Sequence, residues 1–182
     1  MIVKEVKTPD GLKIIYPRVF EDDRGYFFES WNEANFLSQV YKGSFVQDNE
    51  SYSKKGTIRG MHLQLKNPQG KLVRVSEGSV FDAVIDCRKD SKTFGESFGI
   101  ELSALNKIQL WIPPGFAHGF LVLSETAKFN YKCTHYYDPL SEKTILWNDP
   151  TINIKWPLNS IEEKHISKKD LAGISFKTFS NL

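Results

Sequence analysis

Turn residues divide this chain so regularly that an all-β fold is the reading least in conflict with it. Gly, Pro, Asn and Asp bound short strand-like runs at about 12–16, 26–30, 44–52, 57–65, 71–76, 79–87, 97–103, 108–112, 118–123, 128–137 and 144–147. Glu77-Gly78 separates two of these runs, 90–95 forms a longer loop, and Pro113-Pro114-Gly115 makes a sharp stop. No helical pattern recurs between the strands, which favours a barrel or two-sheet jelly roll over alternating strands and helices. Helices are confined to Asn32–Val40, where Phe36, Leu37 and Val40 have helical spacing, and to a C-terminal helix opened by the capping box Ser160-Ile161-Glu162-Glu163.

At 182 residues and 40% hydrophobic content the chain can bury one substantial core. A single domain over 1–182 is expected, with a more charged C-terminal arm at about 159–182. Lys and Arg total 24 against 22 Asp and Glu, a net charge of +2, too balanced for a large nucleic-acid-binding face. A small anion remains compatible, because it needs only a local basic cluster. Cys87 and Cys133 form no Cys-x-x-Cys pattern, and no secretory or membrane-spanning run is visible. A reduced, cytoplasmic protein with no membrane partner is the expectation.

The chemistry is densest at Arg59-Gly60-Met61-His62-Leu63-Gln64, followed by Gln69-Gly70-Lys71-Leu72-Val73-Arg74. Lys66-Asn67-Pro68-Gln69-Gly70 between them has turn composition, so the two runs are expected to pair as an antiparallel hairpin. Histidine exchanges protons near neutral pH, and lysine can hold a developing negative charge. Together they suit proton abstraction beside a carbonyl. Gln47, Asn49, Arg59, His118 and Tyr131 are further polar positions in otherwise apolar segments. Side chains two apart share a strand face, which puts Gln47 with Asn49 but Arg59 opposite His62. For both to reach one ligand the strand must kink or bulge, and Gly60 is the easiest place for that.

Pro113-x-Gly115-x-x-His118 resembles the second half of the metal signature of cupin β-barrels. The first half is altered: Gln64 stands where a second histidine belongs, and the cationic Lys71 lies beyond it. His62 and His118 alone fall short of the usual ligand number, so no metal site is expected.

The ordered motifs extend over residues 18 to 170: Asp23-Arg24-Gly25-Tyr26-Phe27-Phe28-Glu29, Gln47-Asp48-Asn49, Arg59-Gly60-Met61-His62, Gln69-Gly70-Lys71-Leu72-Val73-Arg74, Trp111 to Phe120, Tyr131-Lys132-Cys133-Thr134 and Trp147-Asn148-Asp149-Pro150. In these the chain resembles the dTDP-4-dehydrorhamnose 3,5-epimerases, cupin-like proteins of deoxysugar metabolism. The resemblance implies a cupin-like jelly-roll β-barrel with a few short helices. It also implies inversion of C3 and C5 of dTDP-4-dehydro-6-deoxy-D-glucose, with no cofactor. By the same resemblance His62 is the base, Tyr131 the acid, Lys71 the partner of the enolate oxygen, His118 a second oxyanion partner or substrate donor, and Asp170 the carboxylate behind His62. Arg24, Arg59 and Lys169 match phosphate contacts. Glu29, Gln47, Asp48, Asn49, Tyr137 and Glu142 match contacts to thymine, sugar or other parts of the ligand. Tyr26, Phe27 and Phe28 are expected to pack in the core, and His135 and His165 to lie on the surface.

The resemblance further implies a homodimer, for which N-terminal edge strands could pair between subunits. Two other functions share the scaffold: inversion at C3 only, and non-catalytic nucleotide-sugar binding.

Overall fold

The computed structural model describes residues 1–182. In chain order it comprises β1 (Ile2–Glu5), β2 (Lys13–Tyr16), β3 (Val19–Asp22), β4 (Gly25–Phe28), helix α1 (Glu33–Gln39), β5 (Gln47–Lys54), β6 (Thr57–Gln64), β7 (Lys71–Glu77) and β8 (Ser79–Asp86). It continues with β9 (Ser97–Ser103), β10 (Gln109–Ile112), β11 (Phe116–Val122), β12 (Thr126–Cys133), β13 (Glu142–Thr144), β14 (His165–Ile166), α2 (Lys168–Leu171) and α3 (Phe176–Ser180). One sheet has the order β1-β2-β10-β7-β12-β5 and the other β13-β6-β11-β8-β9, with β14 added in parallel against β6. β3 and β4 form a separate hairpin. This is the all-β, cupin-like jelly roll that the punctuation and the motifs imply.

Strand alternation explains the layers. On β8, Val80 and Val84 point into the core between the sheets, while Ala83 and Ile85 join a second cluster on the outer face. Val73 and Val75 on β7, Leu110 and Ile112 on β10, and Phe129 on β12 complete the inner core from the first sheet. Outside that sheet, α1 packs Phe36 against Leu72 and Trp111. Asn32 caps α1 by accepting the Asn35 N–H at 3.1 Å, close to the expected start.

The C-terminal arm covers the second sheet. Phe176 and Phe179 are 6% and 2% exposed and pack against Met61, Ala83 and Ile85, each ring contributing about 1.5–3 kcal/mol. Asp149, from the Trp147–Pro150 motif, accepts the Phe176 N–H at 2.8 Å and so pins the start of α3. Docking the arm matters to the site, because α2 within it carries Lys169 and Asp170.

Three expectations need correction. The runs on either side of Lys66–Gly70 do not form a hairpin: β6 pairs with β11 and β13, whereas β7 pairs with β10 and β12. The turn carries the chain from one sheet to the other, its polar groups met by neighbours such as Thr134, whose hydroxyl accepts the Gly70 N–H at 2.8 Å. Turn chemistry signals a reversal but does not choose the strand's partner. No helix begins at Ser160, which ends a short 3₁₀ turn; Ser167 and Ser175 cap the helices instead. Finally, Tyr26 and Phe27 are 56% and 66% exposed, because the β3–β4 hairpin projects from the body.

Candidate active site

The interior between the sheets opens into a cavity of about 730 Å³ whose lining includes His62, Lys71, His118, Tyr131 and Asp170. Because β6 and β7 lie in different sheets, His62 and Lys71 approach this space from opposite walls. Tyr131, on β12, shares the wall of Lys71.

His62 and Asp170 meet closely. The His62 Nε2 lies 2.6 Å from Asp170 Oδ1, and the Gly60 N–H donates to Oδ2 at 3.4 Å. Ser167 caps α2 by accepting the Asp170 N–H at 3.1 Å, which leaves the Asp170 carboxylate free to turn toward β6. Burial alone would raise this carboxyl, but the hydrogen bond and charge of His62, with the Gly60 N–H, bring it below the ordinary aspartate value. An ionised Asp170 therefore holds the imidazole proton on Nε2 and leaves Nδ1 as the basic nitrogen.

His118 is the register partner of His62 on β11. Its Nε2 lies 2.8 Å from Asp82 Oδ2, and its ring stacks on Phe129 at 5.8 Å. Burial pushes the His118 imidazole below its ordinary value, against the pull of Asp82. Burial likewise lowers the Lys71 amine, opposed by the charges of Cys133, Glu142 and Asp82. On Tyr131 burial acts upward, keeping the phenol protonated across the neutral range.

The strand irregularity falls at Gly60. Between His118↔His62 and Phe120↔Arg59 the chain takes three steps on β6 against two on β11, a bulge that turns Arg59 onto the cavity wall beside His62. Gly60 has φ +108°, and a Cβ there would stand 2.5 Å from the His118 carbonyl oxygen, so a side chain is excluded. The Arg59 Nε–H donates to Ser53 Oγ at 3.1 Å.

A connected set of polar groups runs outward from the cavity lining at Lys169, through Glu142, which shares a smaller cleft with His62 and Lys71. Lys169 pairs with Glu142, and the Tyr137 hydroxyl donates to Glu142 Oε2 at 3.0 Å. The Tyr137 N–H donates to Gln47 Oε1 at 3.0 Å, and the Gln47 amide donates to Asn49 Oδ1 at 2.8 Å. Asn49 in turn approaches the Cys133 sulfur at 3.7 Å. Gln64 is engaged elsewhere: its amide donates to the Asn67 and Tyr136 carbonyls, and its Oε1 accepts the Asp138 N–H.

Of the expected ligand contacts, Arg59, Lys71, His118 and Lys169 line the cavity, Gln47, Asn49, Tyr137 and Glu142 connect to it through the hydrogen bonds above, and three others lie apart from both. Asp48 alternates to the opposite face of β5 from Gln47 and Asn49, where it pairs with Lys132 at 2.7 Å. Arg24 sits in the turn of the β3–β4 hairpin, paired with Asp22 at 2.6 Å and 90% exposed. Glu29 lines a separate cavity of about 390 Å³ and accepts from the Asn32 amide. Conversely, His165 is not a free surface histidine but lines the main cavity with Lys164 and Ser167. The two-residue pairing of β14 that brings it there is too short to leave a periodic signal in the sequence.

The chain is similar to known proteins over nearly its whole length. A family model for dTDP-4-dehydrorhamnose 3,5-epimerase matches residues 7–178. The dTDP-4-dehydrorhamnose 3,5-epimerase of Salmonella typhimurium is 55% identical over 174 residues, covering 94% of this chain and 93% of that one. The crystal structure of a dTDP-6-deoxy-D-glucose-3,5-epimerase from Legionella pneumophila in complex with dTDP-4-keto-L-rhamnose superposes with a TM-score of 0.93 at 46% identity. It covers 100% of this chain and 93% of that one. ChmJ, a 3'-monoepimerase from Streptomyces bikiniensis in complex with dTDP-quinovose, has a TM-score of 0.90 at 25% identity over 98% of this chain and 90% of its own. The fold and these relationships define an isomerase built on a cupin-like jelly roll. More narrowly, the chain belongs to the dTDP-4-dehydrorhamnose 3,5-epimerase family.

Proposed function

We propose that the protein inverts C3 and C5 of dTDP-4-dehydro-6-deoxy-D-glucose, giving dTDP-4-dehydro-L-rhamnose for dTDP-L-rhamnose synthesis. One observation carries the reading: a carboxylate-held imidazole and a protonated phenol face one cavity from opposite sheets, with a lysine lining the same space. C3 and C5 both flank the C4 ketone, so the same groups can serve each carbon.

In this mechanism His62 Nδ1 removes the proton from the carbon beside the ketone. The bonding electrons move onto the C4 oxygen, and the Lys71 ammonium stabilises the enolate. Tyr131 then donates its hydroxyl proton to the opposite face; the resulting phenolate regains a proton from solvent and the His62 imidazolium releases its own to solvent. His118 contacts the sugar, and Asp170 fixes the reactive tautomer of His62. Gln47, Asn49, Arg59, Tyr137, Glu142 and Lys169 hold the nucleotide and sugar. Proton transfer of this kind balances without a redox cofactor or metal, and none is proposed.

We further propose a homodimer in which the hairpin of a second copy brings Arg24 and Glu29 to the ligand. The projecting Phe20, Tyr26 and Phe27, between 50% and 66% exposed, support an interface there. Residues 1–182 would then act as one catalytic unit per chain. A cytoplasmic location suits Cys87 and Cys133, both free thiols; no helix is long and apolar enough to cross a membrane.

The similarity to a 3'-monoepimerase gives a second reading, inversion at C3 alone. Incubation with the 4-dehydro-6-deoxyglucose nucleotide in deuterated water separates the two. Deuterium at both C3 and C5 of the product is expected; incorporation at C3 alone would support the second reading, and incorporation at neither would contradict both.

A further inference from the structure

Asp82, on β8, belongs to none of the motifs that mark the site. It is fully buried, with Oδ2 2.8 Å from His118 Nε2 and with Oδ1 lacking any hydrogen-bond partner. A buried carboxylate left half unsatisfied is strongly unfavourable unless a nearby cation compensates it. Lys71 points into the same space from the other sheet: it shares its face of β7 with Val73 and Val75, as Asp82 shares its face of β8 with Val80 and Val84, and it lines the cavity beside His118, the residue Asp82 holds.

The titratable groups facing Lys71 can be sorted by charge. They are Asp82 on β8, His118 on β11, His62 and the cationic Arg59 on β6, Tyr131 and Cys133 on β12, Glu142 on β13, and Lys169 and Asp170 on α2. Burial pushes the Tyr131 phenol and the Cys133 thiol up, so both are neutral near pH 7, and Cys133 would support the Lys71 ammonium only as the thiolate. Glu142 shares a smaller cleft with Lys71 and acts on it more strongly than Asp82 does, but it is matched by Lys169 and also accepts the Tyr137 hydroxyl. Asp170 is committed to His62 and the Gly60 N–H. Asp82 is the anion without a committed cation.

Building on the epimerase reading, we propose that Asp82 is a positioning residue: it is the counter-ion that keeps Lys71 charged, and its hydrogen bond fixes the His118 proton on Nε2. Two consequences follow for the reaction. The enolate charge rests on Lys71, and neutral His118 offers Nδ1 as an acceptor for a sugar hydroxyl rather than as a second oxyanion donor. Burial acts to lower the Lys71 amine and to raise the Asp82 carboxyl, and each charge offsets part of the other's burial.

Asp82→Asn tests this with little change in volume, since the amide oxygen can still accept from His118. The readout is the NMR signal of Cε-labelled lysine, with Lys71 assigned from its loss in Lys71→Arg, followed against pH beside the pH profile of kcat. In the wild-type protein Lys71 should remain protonated through neutral pH. In Asp82→Asn both the Lys71 titration and the alkaline limb of kcat should move down by about one unit, a roughly tenfold loss of charged lysine above its pKa. KM and dTDP affinity should hold. Superimposable profiles would overturn the proposal, as would a wild-type Lys71 that is already neutral near pH 7, a measurement that needs no folded variant. Because the NMR titration is made without substrate, it stands even if the enzyme acts on another sugar.

Discussion

His62 and His118 are register partners on adjacent strands, yet their Nε2 atoms turn to different carboxylates, Asp170 and Asp82. The first imidazole is 27% exposed to the cavity and the second 8%. In the proposed mechanism these identical side chains acquire distinct tasks from their surroundings, one moving a proton and the other holding the substrate.

The His62–Asp170 pair yields the first prediction. His62→Ala should lower kcat by about 10²–10⁴ and abolish exchange at both sugar carbons. Asp170→Asn should fall in the same range, because an amide can stabilise the wrong imidazole tautomer. Calorimetry should show dTDP binding retained in both. Near-normal turnover in either variant would remove the assigned base.

Nucleotide binding tests the cavity lining and the dimer together. Arg59→Ala should weaken dTDP binding by about 1.5–3 kcal/mol, the range for a hydrogen bond to a charged group. Arg24→Ala should have a similar effect even though its hairpin stands away from the cavity of its own chain, and light scattering should give the mass of two chains. Wild-type affinity in Arg24→Ala would refute delivery of that guanidinium by a second copy.

Acid stability should reflect Asp86, away from the cavity. The Asp86 carboxyl is fully buried and accepts from Arg88, Ser91 and Thr93 at 2.6–2.8 Å. Burial would raise it, but these bonds bring it from 3.8 to about 2. A depressed carboxyl stabilises the fold above its unfolded value and loses that contribution as pH falls through the folded one. Asp86→Asn should therefore be less stable by about 2 kcal/mol near neutral pH. The gap in urea unfolding should shrink between about pH 4 and 2. A gap independent of pH would show that the carboxylate's charge is not what matters.

Much of this fold was legible because period-two patterns and turn residues mark strands locally. Val80, Asp82 and Val84 alternate against Phe81, Ala83 and Ile85 in a way that one strand alone explains. Partner choice was not legible, since Lys66–Gly70 has the composition of a hairpin turn but joins two sheets. The need for a kink or bulge near Gly60 followed from alternation, because Arg59 and His62 cannot share a cavity on a regular strand. His165 and Asp82 carried no such signal. The first depends on a two-residue pairing made by the distant arm, and the second is distinguished only by an unpartnered oxygen that exists once the sheets are packed.

Tyr131→Phe tests the central claim most directly, because it keeps the ring beside Phe129 and removes only the hydroxyl proposed to protonate the far face. Exchange and inversion should then separate: in deuterated water His62 can still form the enolate and return a deuteron to the face it came from. NMR for exchange and a coupled reductase for product follow both at once. The account predicts deuterium washout well in excess of inverted product. Inversion at the wild-type rate, with exchange and product still in step, would contradict it and assign the far-face proton to another group.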